Sequence, residues 1–302
     1  MFQKQPVMRK VLVALAPPFL FSLYLYGLRA LALLLVALVV GTGVEYLVER
    51  RRGKSASEAV LVTCAIYALS MPPAVPLWIE AAGIAFAVFM AKEVYGGFGR
   101  NVFNPAAAGR LFVYISFATT MQAGFLEPGA FGASVDAVGS ATPLVLMRAG
   151  ELRPAASLLL GLRPGAIGES SALLIAASAV FLLATKAASY RLMLSTLASG
   201  GALAAILLAA GVPKALPLES LLAGSFLFVA VFMATDPVSA PKKPLAQWLY
   251  GALIGALVVL IRTFSLFPEG TSFALLIGNA AASLLDDLAA AAARKPAGEA
   301  KP

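Results

Sequence analysis

Three short polar segments hold most of the side chains in this chain that could do chemistry. The first is Asp136-Ala137-Val138-Gly139-Ser140-Ala141-Thr142-Pro143-Leu144, with one carboxylate and two hydroxyls among small residues. A hydroxyl here can carry a phosphate in ester linkage, although Ser and Thr are also ordinary loop residues. The second is Lys92-Glu93-Val94-Tyr95-Gly96-Gly97-Phe98-Gly99-Arg100-Asn101-Val102-Phe103-Asn104-Pro105-Ala106-Ala107-Ala108-Gly109-Arg110. Gly96, Gly97 and Gly99 let backbone N–H groups approach an anion or a ring closely. Asn104 before Pro105 has the form of a helix N-cap followed by proline at the first helical position. That places Arg110 about a turn and a half into a helix, where it serves either a ligand or a structural carboxylate. The third is Thr235-Asp236-Pro237-Val238-Ser239-Ala240-Pro241, whose Asp236 can cap a turn, coordinate a cation or bond a polar ligand.

What is missing narrows the chemistry. The chain has no histidine and one cysteine, Cys64. That excludes haem ligation by histidine and the usual zinc sites, and one thiol cannot hold an iron–sulfur cluster alone. Cys64 lies in an apolar run and reads as a small packed hydrophobe. Any redox cofactor must be organic, or a cluster must be shared with another subunit.

The elements that position these segments are membrane-grade. Of 302 residues, 60% are hydrophobic and 13% charged, against roughly 25% charged in soluble domains. The mean hydropathy is +0.88. Apolar runs recur at 31–40, 79–91, 171–184 and 252–261. Ten candidate spans follow, near 11–28, 30–48, 58–72, 76–91, 105–121, 170–186, 190–211, 221–236, 246–263 and 271–287. The expected fold class is an all-α polytopic membrane protein. Lys4, Arg9 and Lys10 precede the first run, Pro17-Pro18 interrupts it, and no small-residue cleavage site follows. It therefore reads as a span rather than a cleaved signal. Pro72-Pro73 and Asp236-Pro237 mark spans that break early, which is tolerated at membrane depth only where protein or a cavity satisfies the freed backbone.

Charge sets the expected orientation. With the N-terminus inside, sixteen of the 23 Lys and Arg fall in inner segments and six in outer ones, with Arg110 inside a span. The positive-inside rule then puts both termini in the cytoplasm and the connection 122–169 outside. The net charge of +8 is accounted for by these inner loops and implies no nucleic acid partner. Other ionisable residues near span ends are Glu45, Glu80, Glu93, Glu169, Glu269, Asp286 and Asp287, most of which are expected to meet interfacial water. Pro72, Pro76 and Asn104-Pro105 lie 165 residues before Pro237, Pro241 and Glu269-Gly270. Paired breaks in two oppositely oriented halves suggest an inverted repeat with a site near the midplane. The expected organisation is a first half at 1–121, the outer loop at 122–169, a second half at 170–290 and a cytoplasmic tail at 291–302.

Taken together, residues 92–110, 140–144, Gly168-Glu169-Ser170-Ser171, 234–240, 250–262 and Pro268-Glu269-Gly270 resemble one family. It is the flavin-carrying membrane protein of ion-pumping redox complexes. It includes the NqrB component of the Na⁺-translocating NADH:quinone reductase (Nqr) and the RnfD component of the Rnf complex. In that family a threonine in a pattern like Asp-x-x-(Ser/Thr)-Gly-Ala-Thr is joined to FMN by a separate flavin transferase. The resemblance maps it onto Thr142, with Asp136, Ser140 and Ala141 completing the motif. Gly139-Ser140 here reverses the family's order.

The resemblance implies covalent FMN, with riboflavin as the second, non-covalent flavin of Nqr-like members. It also implies a ten-helix fold with inverted halves, a place in a multi-subunit oxidoreductase and translocase of the NADH:quinone or ferredoxin:NAD type, and residence in the cell inner membrane. Implied partners are the other proteins of the complex, the flavin transferase, quinone and lipid. Gly96, Gly97, Asn104 and Arg110 become candidates for flavin contact, and Glu93 and Asp236 for an ion path. Two other readings stand beside this one: a non-redox channel or carrier on the same repeat, and a flavin anchor exporting electrons to extracellular acceptors.

Overall fold

The computed structural model describes residues 3–129, 141–149, 151, 154–212, 218–265 and 270–293. Asp136, Ser140 and Glu269 lie outside the described residues. Those described form thirteen α-helices: α1 (Pro6–Tyr26), α2 (Leu28–Arg51), α3 (Ala59–Leu69), α4 (Leu77–Val88), α5 (Pro105–Ser116), α6 (Ala118–Ala123), α7 (Pro143–Arg148), α8 (Ala155–Leu160), α9 (Ala172–Ala184), α10 (Tyr190–Ala209), α11 (Phe226–Phe228), α12 (Pro244–Phe264) and α13 (Thr271–Ala293). Helix α4 runs on into a π-helical turn, Phe89–Glu93, and α11 into another, Val229–Met233. Helices α1, α2, α10, α12 and α13 are each long and apolar enough to cross a membrane, and α3 and α9 are shorter apolar helices. This is the architecture of an all-helical polytopic membrane protein.

The first helix departs from expectation in an informative way. Pro17 and Pro18 do not interrupt it; they lie inside a continuous 21-residue helix. Proline at position 18 removes the N–H that would have bonded the Ala14 carbonyl. Ser178 of α9 donates its hydroxyl to that carbonyl at 2.7 Å, so the orphaned acceptor is satisfied from another helix. The expected breaks do occur elsewhere. Helix α3 stops at Leu69 before Pro72-Pro73, and the second π turn stops at Met233 before Pro237. The ends of these two elements, the starts of α4 and α12, and the starts of α5 and α13 each keep the 165-residue offset to within two residues.

Small residues bring the helix axes together. A Cβ on Gly109 of α5 would fall 2.7 Å from the Gly83 carbonyl oxygen of α4, and one on Gly255 of α12 would fall 2.2 Å from the Thr196 carbonyl oxygen of α10. Without a hydrophobic drive between helices in lipid, such backbone approach supplies the dispersion contact that holds a bundle. One continuous apolar core results, from Leu15 and Leu33 through Tyr67 and Val88 to Phe228, Tyr250 and Leu275.

The helix ends gather into two layers. One, the Lys92 end, joins Gln3 to Ala56, Arg52 to Glu93 and Lys10 to the Thr185 carbonyl. The other, the Thr142 end, joins Tyr26 to the Gly165 carbonyl, Ile167 to the Met71 carbonyl and Arg148 to the Arg262 carbonyl. Three helices in the long 122–169 connection, the tail of α6 with α7 and α8, dock on this second layer. Leu144, Met147 and Leu158 form a small core there with Ala223.

Candidate functional site

The polar segments read from the sequence do not converge on one place. Thr142 and Ala141 belong to the Thr142 end, whereas Glu93, Gly96, Gly97, Asn104 and Asp236 belong to the Lys92 end. Arg110 lies within α5 between them.

At the Lys92 end the π turn Phe89–Glu93 buries two consecutive charged side chains, Lys92 at 2% exposure and Glu93 at 0%. The wider turn aims neighbouring residues into the protein where an α-helix would splay them apart, and such turns are common at functional sites. Lys92 Nζ donates to Glu45 Oε2 at 2.5 Å and to Ser57 Oγ at 2.9 Å. Ser57 returns its hydroxyl and its backbone N–H to Glu45 Oε1, each at 2.7 Å. Beside this pair, Arg52 donates to Glu49 Oε1 at 2.8 Å, to Glu93 Oε2 at 2.9 Å and to the Glu93 carbonyl at 2.7 Å. Glu93 Oε1 is left without a partner among the described residues. Three carboxyl groups thus face two cations.

The glycine turn seals this cluster. Gly96, Gly97 and Gly99 all take positive φ, at 107°, 90° and 83°. A Cβ on Gly97 would come within 2.7 Å of Glu49 Oε1, so glycine there is required both by the turn and by the carboxylates beneath it. The chain then enters α5 as its sequence implies, with Asn104 Oδ1 accepting from the Ala107 N–H at 3.2 Å. Asn104 also donates to the Met233 carbonyl at 3.4 Å, and its backbone N–H donates to Asn279 Oδ1 at 2.9 Å. One residue therefore ties α5 to the second π turn and to α13. Asn279, which in turn donates to the Tyr250 hydroxyl at 2.6 Å, carries no local sequence signal and was not foreseen.

A narrow cleft of about 50 Å³ lies between these elements. Lys92, Asn104 and Asp236 line it together with Phe98, Ile66 and Phe232. Its lining is mostly apolar with a few convergent polar groups, and its volume is well below that of a pocket enclosing a drug-sized ligand. Asp236 spends its carboxylate locally, accepting from the Val238 N–H at 3.2 Å and the Ser239 hydroxyl at 2.8 Å. Among the described residues no His, Cys, Asp and Glu group could hold a metal ion.

Arg110 is committed to a carboxylate: its Nη1 donates to Glu169 Oε1 at 2.8 Å, both side chains being buried. The Glu169 segment is held in turn by Arg163, which donates to the Glu169 and Leu222 carbonyls at 3.0 Å each. The expectation that most end-of-span carboxylates meet water is corrected. Glu45, Glu80, Glu93 and Glu169 are all 1% exposed or less. Hydropathy windows place such residues at span ends but cannot see the cations and carbonyl-lined breaks that draw them inward. Asp287 is half-buried at most, and Asp286 accepts from the Lys242 and Lys243 backbone N–H groups.

Thr142 stands immediately before α7, in extended conformation at φ −66° and ψ 155°. Its side chain makes no capping hydrogen bond, and Pro143 after it has no N–H to offer. Its backbone carbonyl accepts from Val145 and Leu146, which fixes the residue at the head of α7. The hydroxyl is thus positioned but not spent on capping the helix.

Comparison with known proteins gives these sites a context. The chain is 37% identical over 264 residues to the B subunit of the Na(+)-translocating NADH-quinone reductase of Azotobacter vinelandii, covering 83% of this chain and 64% of that protein. It is 38% identical over 265 residues to the protein of the same name from Pseudomonas aeruginosa, with the same coverage. For the one from Pseudoalteromonas atlantica the figures are 35% over 278 residues, with 88% of this chain and 68% of that protein. The matched region thus spans just under two thirds of the first two relatives. Residues 2–294 match the NQR2, RnfD, RnfE family, and the chain belongs to it.

Proposed function

We propose that this chain is the flavin-bearing membrane subunit of an ion-translocating electron-transport complex of the Nqr or Rnf type, with FMN joined to Thr142 through its phosphate. The observation that carries this reading is the Thr142 hydroxyl: fixed at the head of α7, unused as a helix cap, and lying where the motif resemblance puts the family's attachment threonine, in a chain whose residues 2–294 match that family. When bound, FMN would accept and pass on electrons, a role for which a chain without histidine has no His-ligated haem or zinc-type metal site of its own. Thr142 would hold it by an ester, and Leu144 and Met147 on α7 would keep that attachment docked to the bundle.

The fit to the ten-helix inverted repeat rests on the repeated breaks and on five shorter elements, among them α3 with its break and α11 with its π turn. Counting α3, α4, α5, α9 and α11 with the five long helices gives ten crossings. The distribution of Lys and Arg supports an orientation with the Lys92 end cytoplasmic and Thr142 outside. On that reading the narrow apolar cleft beside Lys92, Asn104 and Asp236 faces the cytoplasmic side, and a second, non-covalent flavin such as riboflavin, or a quinone, would have to widen it to enter. Lys92 would then oppose negative charge developing on such a ligand. Glu93, with one carboxylate oxygen unpartnered, and Asp236 are the groups we assign to a cation path. The remaining proteins of the complex and the flavin transferase would be its partners.

The test is co-expression with a flavin transferase, then denaturing electrophoresis under ultraviolet light. A fluorescent band that disappears in Thr142→Val is the expected result. A band that survives the substitution, or none in the unsubstituted protein, overturns the assignment and favours the redox-free carrier reading.

A further inference from the structure

Glu80 lies on the first turn of α4, and its side chain is completely buried. Neither carboxyl oxygen has a hydrogen-bond partner among the described residues. No described cation bridges to it: the Arg29 guanidinium, whose charge it feels, is turned to the break after α3, donating to the Pro73 carbonyl at 3.1 Å and the Val75 carbonyl at 2.5 Å. The titratable groups facing Glu80 are Arg29 from α2 and Tyr67 and Cys64 from α3. Helix α5 presents Val113 and Gly109 on that side of α4.

Tyr67 is the second half of the feature. It is fully buried, and its hydroxyl also lacks a partner among the described residues. That hydroxyl packs directly onto Gly83, where a Cβ would fall 1.9 Å from it. Gly83 is three residues after Glu80, so the phenol and the carboxyl share one face of α4 a single turn apart. Two buried oxygen groups without partners among the described residues thus lie against the same face of α4, close enough for the Glu80 charge to act on the Tyr67 phenol.

An ionised carboxylate in that position would be buried without a hydrogen-bond donor, with Arg29 engaged on the Pro73 and Val75 carbonyls. A neutral carboxyl needs only one acceptor for its O–H and one donor for its carbonyl, and the Tyr67 hydroxyl can act as either. We propose that Glu80 is a proton-binding site inside the membrane span, holding its proton in the resting protein with Tyr67 as its exchange partner. Losing that proton would create a negative charge beside Arg29, which would draw the guanidinium off the Pro73 and Val75 carbonyls. Proton occupancy at Glu80 thereby bears on the geometry of the break between α3 and α4. Glu80 would hold its proton whether or not Thr142 carries a flavin.

Infrared difference spectroscopy of the full chain in lipid, comparing wild type with Glu80→Gln at neutral pH, tests this. The expected result is loss of one protonated-carboxyl stretch, a band that shifts in D₂O. Loss of a carboxylate stretch instead shows that Glu80 is ionised and overturns the proposal. Tyr67→Phe leaves the carboxyl intact and guards against misfolding of the first variant. It should move the same protonated-carboxyl band to higher frequency, and an unchanged carboxyl region in Tyr67→Phe overturns the pairing.

Discussion

The two ends of the bundle use their basic residues in opposite ways. At the Lys92 end, cations answer carboxylates: Lys92 pairs with Glu45, Arg52 with Glu49 and Glu93, and Arg9 with Glu58. At the Thr142 end, guanidinium groups answer the backbone. Arg29 holds the Pro73 and Val75 carbonyls, Arg163 those of Glu169 and Leu222, and Arg262 those of Ser220 and Ala223, with Arg148 on the Arg262 carbonyl. Arg110 with Glu169 departs from this pattern, as do Lys10 on the Thr185 carbonyl and Lys243 on the Asp286 carbonyl at the Lys92 end. The difference follows from what each end must satisfy. Helices that enter the Lys92 end bring buried acids with them. The Thr142 end is built from short helices and broken segments, whose last carbonyls have no intrahelical partner. A planar guanidinium with several donors can collect two such carbonyls at once, which an ammonium does less well.

Substitutions can sharpen or erase that contrast. The largest effect is expected at the Lys92 end. Lys92→Met leaves Glu45 buried and uncompensated and should cost about 4 kcal/mol, read as a lowered unfolding midpoint in detergent. Adding Glu45→Gln should return most of it. A double variant as unstable as the single one would mean that the pairing is not what holds this end. A smaller loss, about 3 kcal/mol, is expected for Arg262→Met, which strands two buried carbonyls. Restoring charge with Lys should recover only part of it, and full recovery would show that charge, not carbonyl capping, matters there.

The smallest effect is a pH dependence at the edge of the Lys92 end. Arg9, by hydrogen bond and charge, holds the Glu58 carboxyl below its ordinary value, with help from the Gln5 N–H. A depressed carboxylate contributes stability that is fully present above its unfolded value and is lost as pH falls through the folded one. Arg9→Met should therefore lower the neutral plateau by a small amount and leave stability nearly unchanged at the acid end, where Glu58 is protonated in both states, so that the profile flattens. A uniform drop across all pH values would mean that packing, not ionisation, is the contribution.

Much of the frame was legible in the sequence because it depends on local pattern. Hydropathy placed the long helices within a few residues, Asn104-Pro105 announced the start of α5, and Pro72 and Pro237 announced the breaks. Helix α13 runs to Ala293, six residues past the expected 287, because Asp286-Asp287 end the apolar run while the alanines after them continue the helix. The short helices α7 and α8 escaped a window tuned to spans. The candidate site was legible only in part. Residues 92–110 were recognisably dense in chemistry, but the partners that give them meaning are distant in sequence: Glu45 and Ser57 for Lys92, Glu169 for Arg110, Asn279 for Asn104. No periodicity or spacing encodes such pairs, since they arise only when separate helices pack.

The bond from Ser178 to the Ala14 carbonyl has a consequence for how the chain is made. The two residues are 164 apart, so the first helix is synthesised and threaded into the bilayer long before its missing donor exists. During that interval the proline-freed carbonyl must borrow a donor from water, lipid headgroups or the insertion machinery. The first helix is therefore completed only when α9 arrives, so its maturation waits on the opening helix of the second half of the protein.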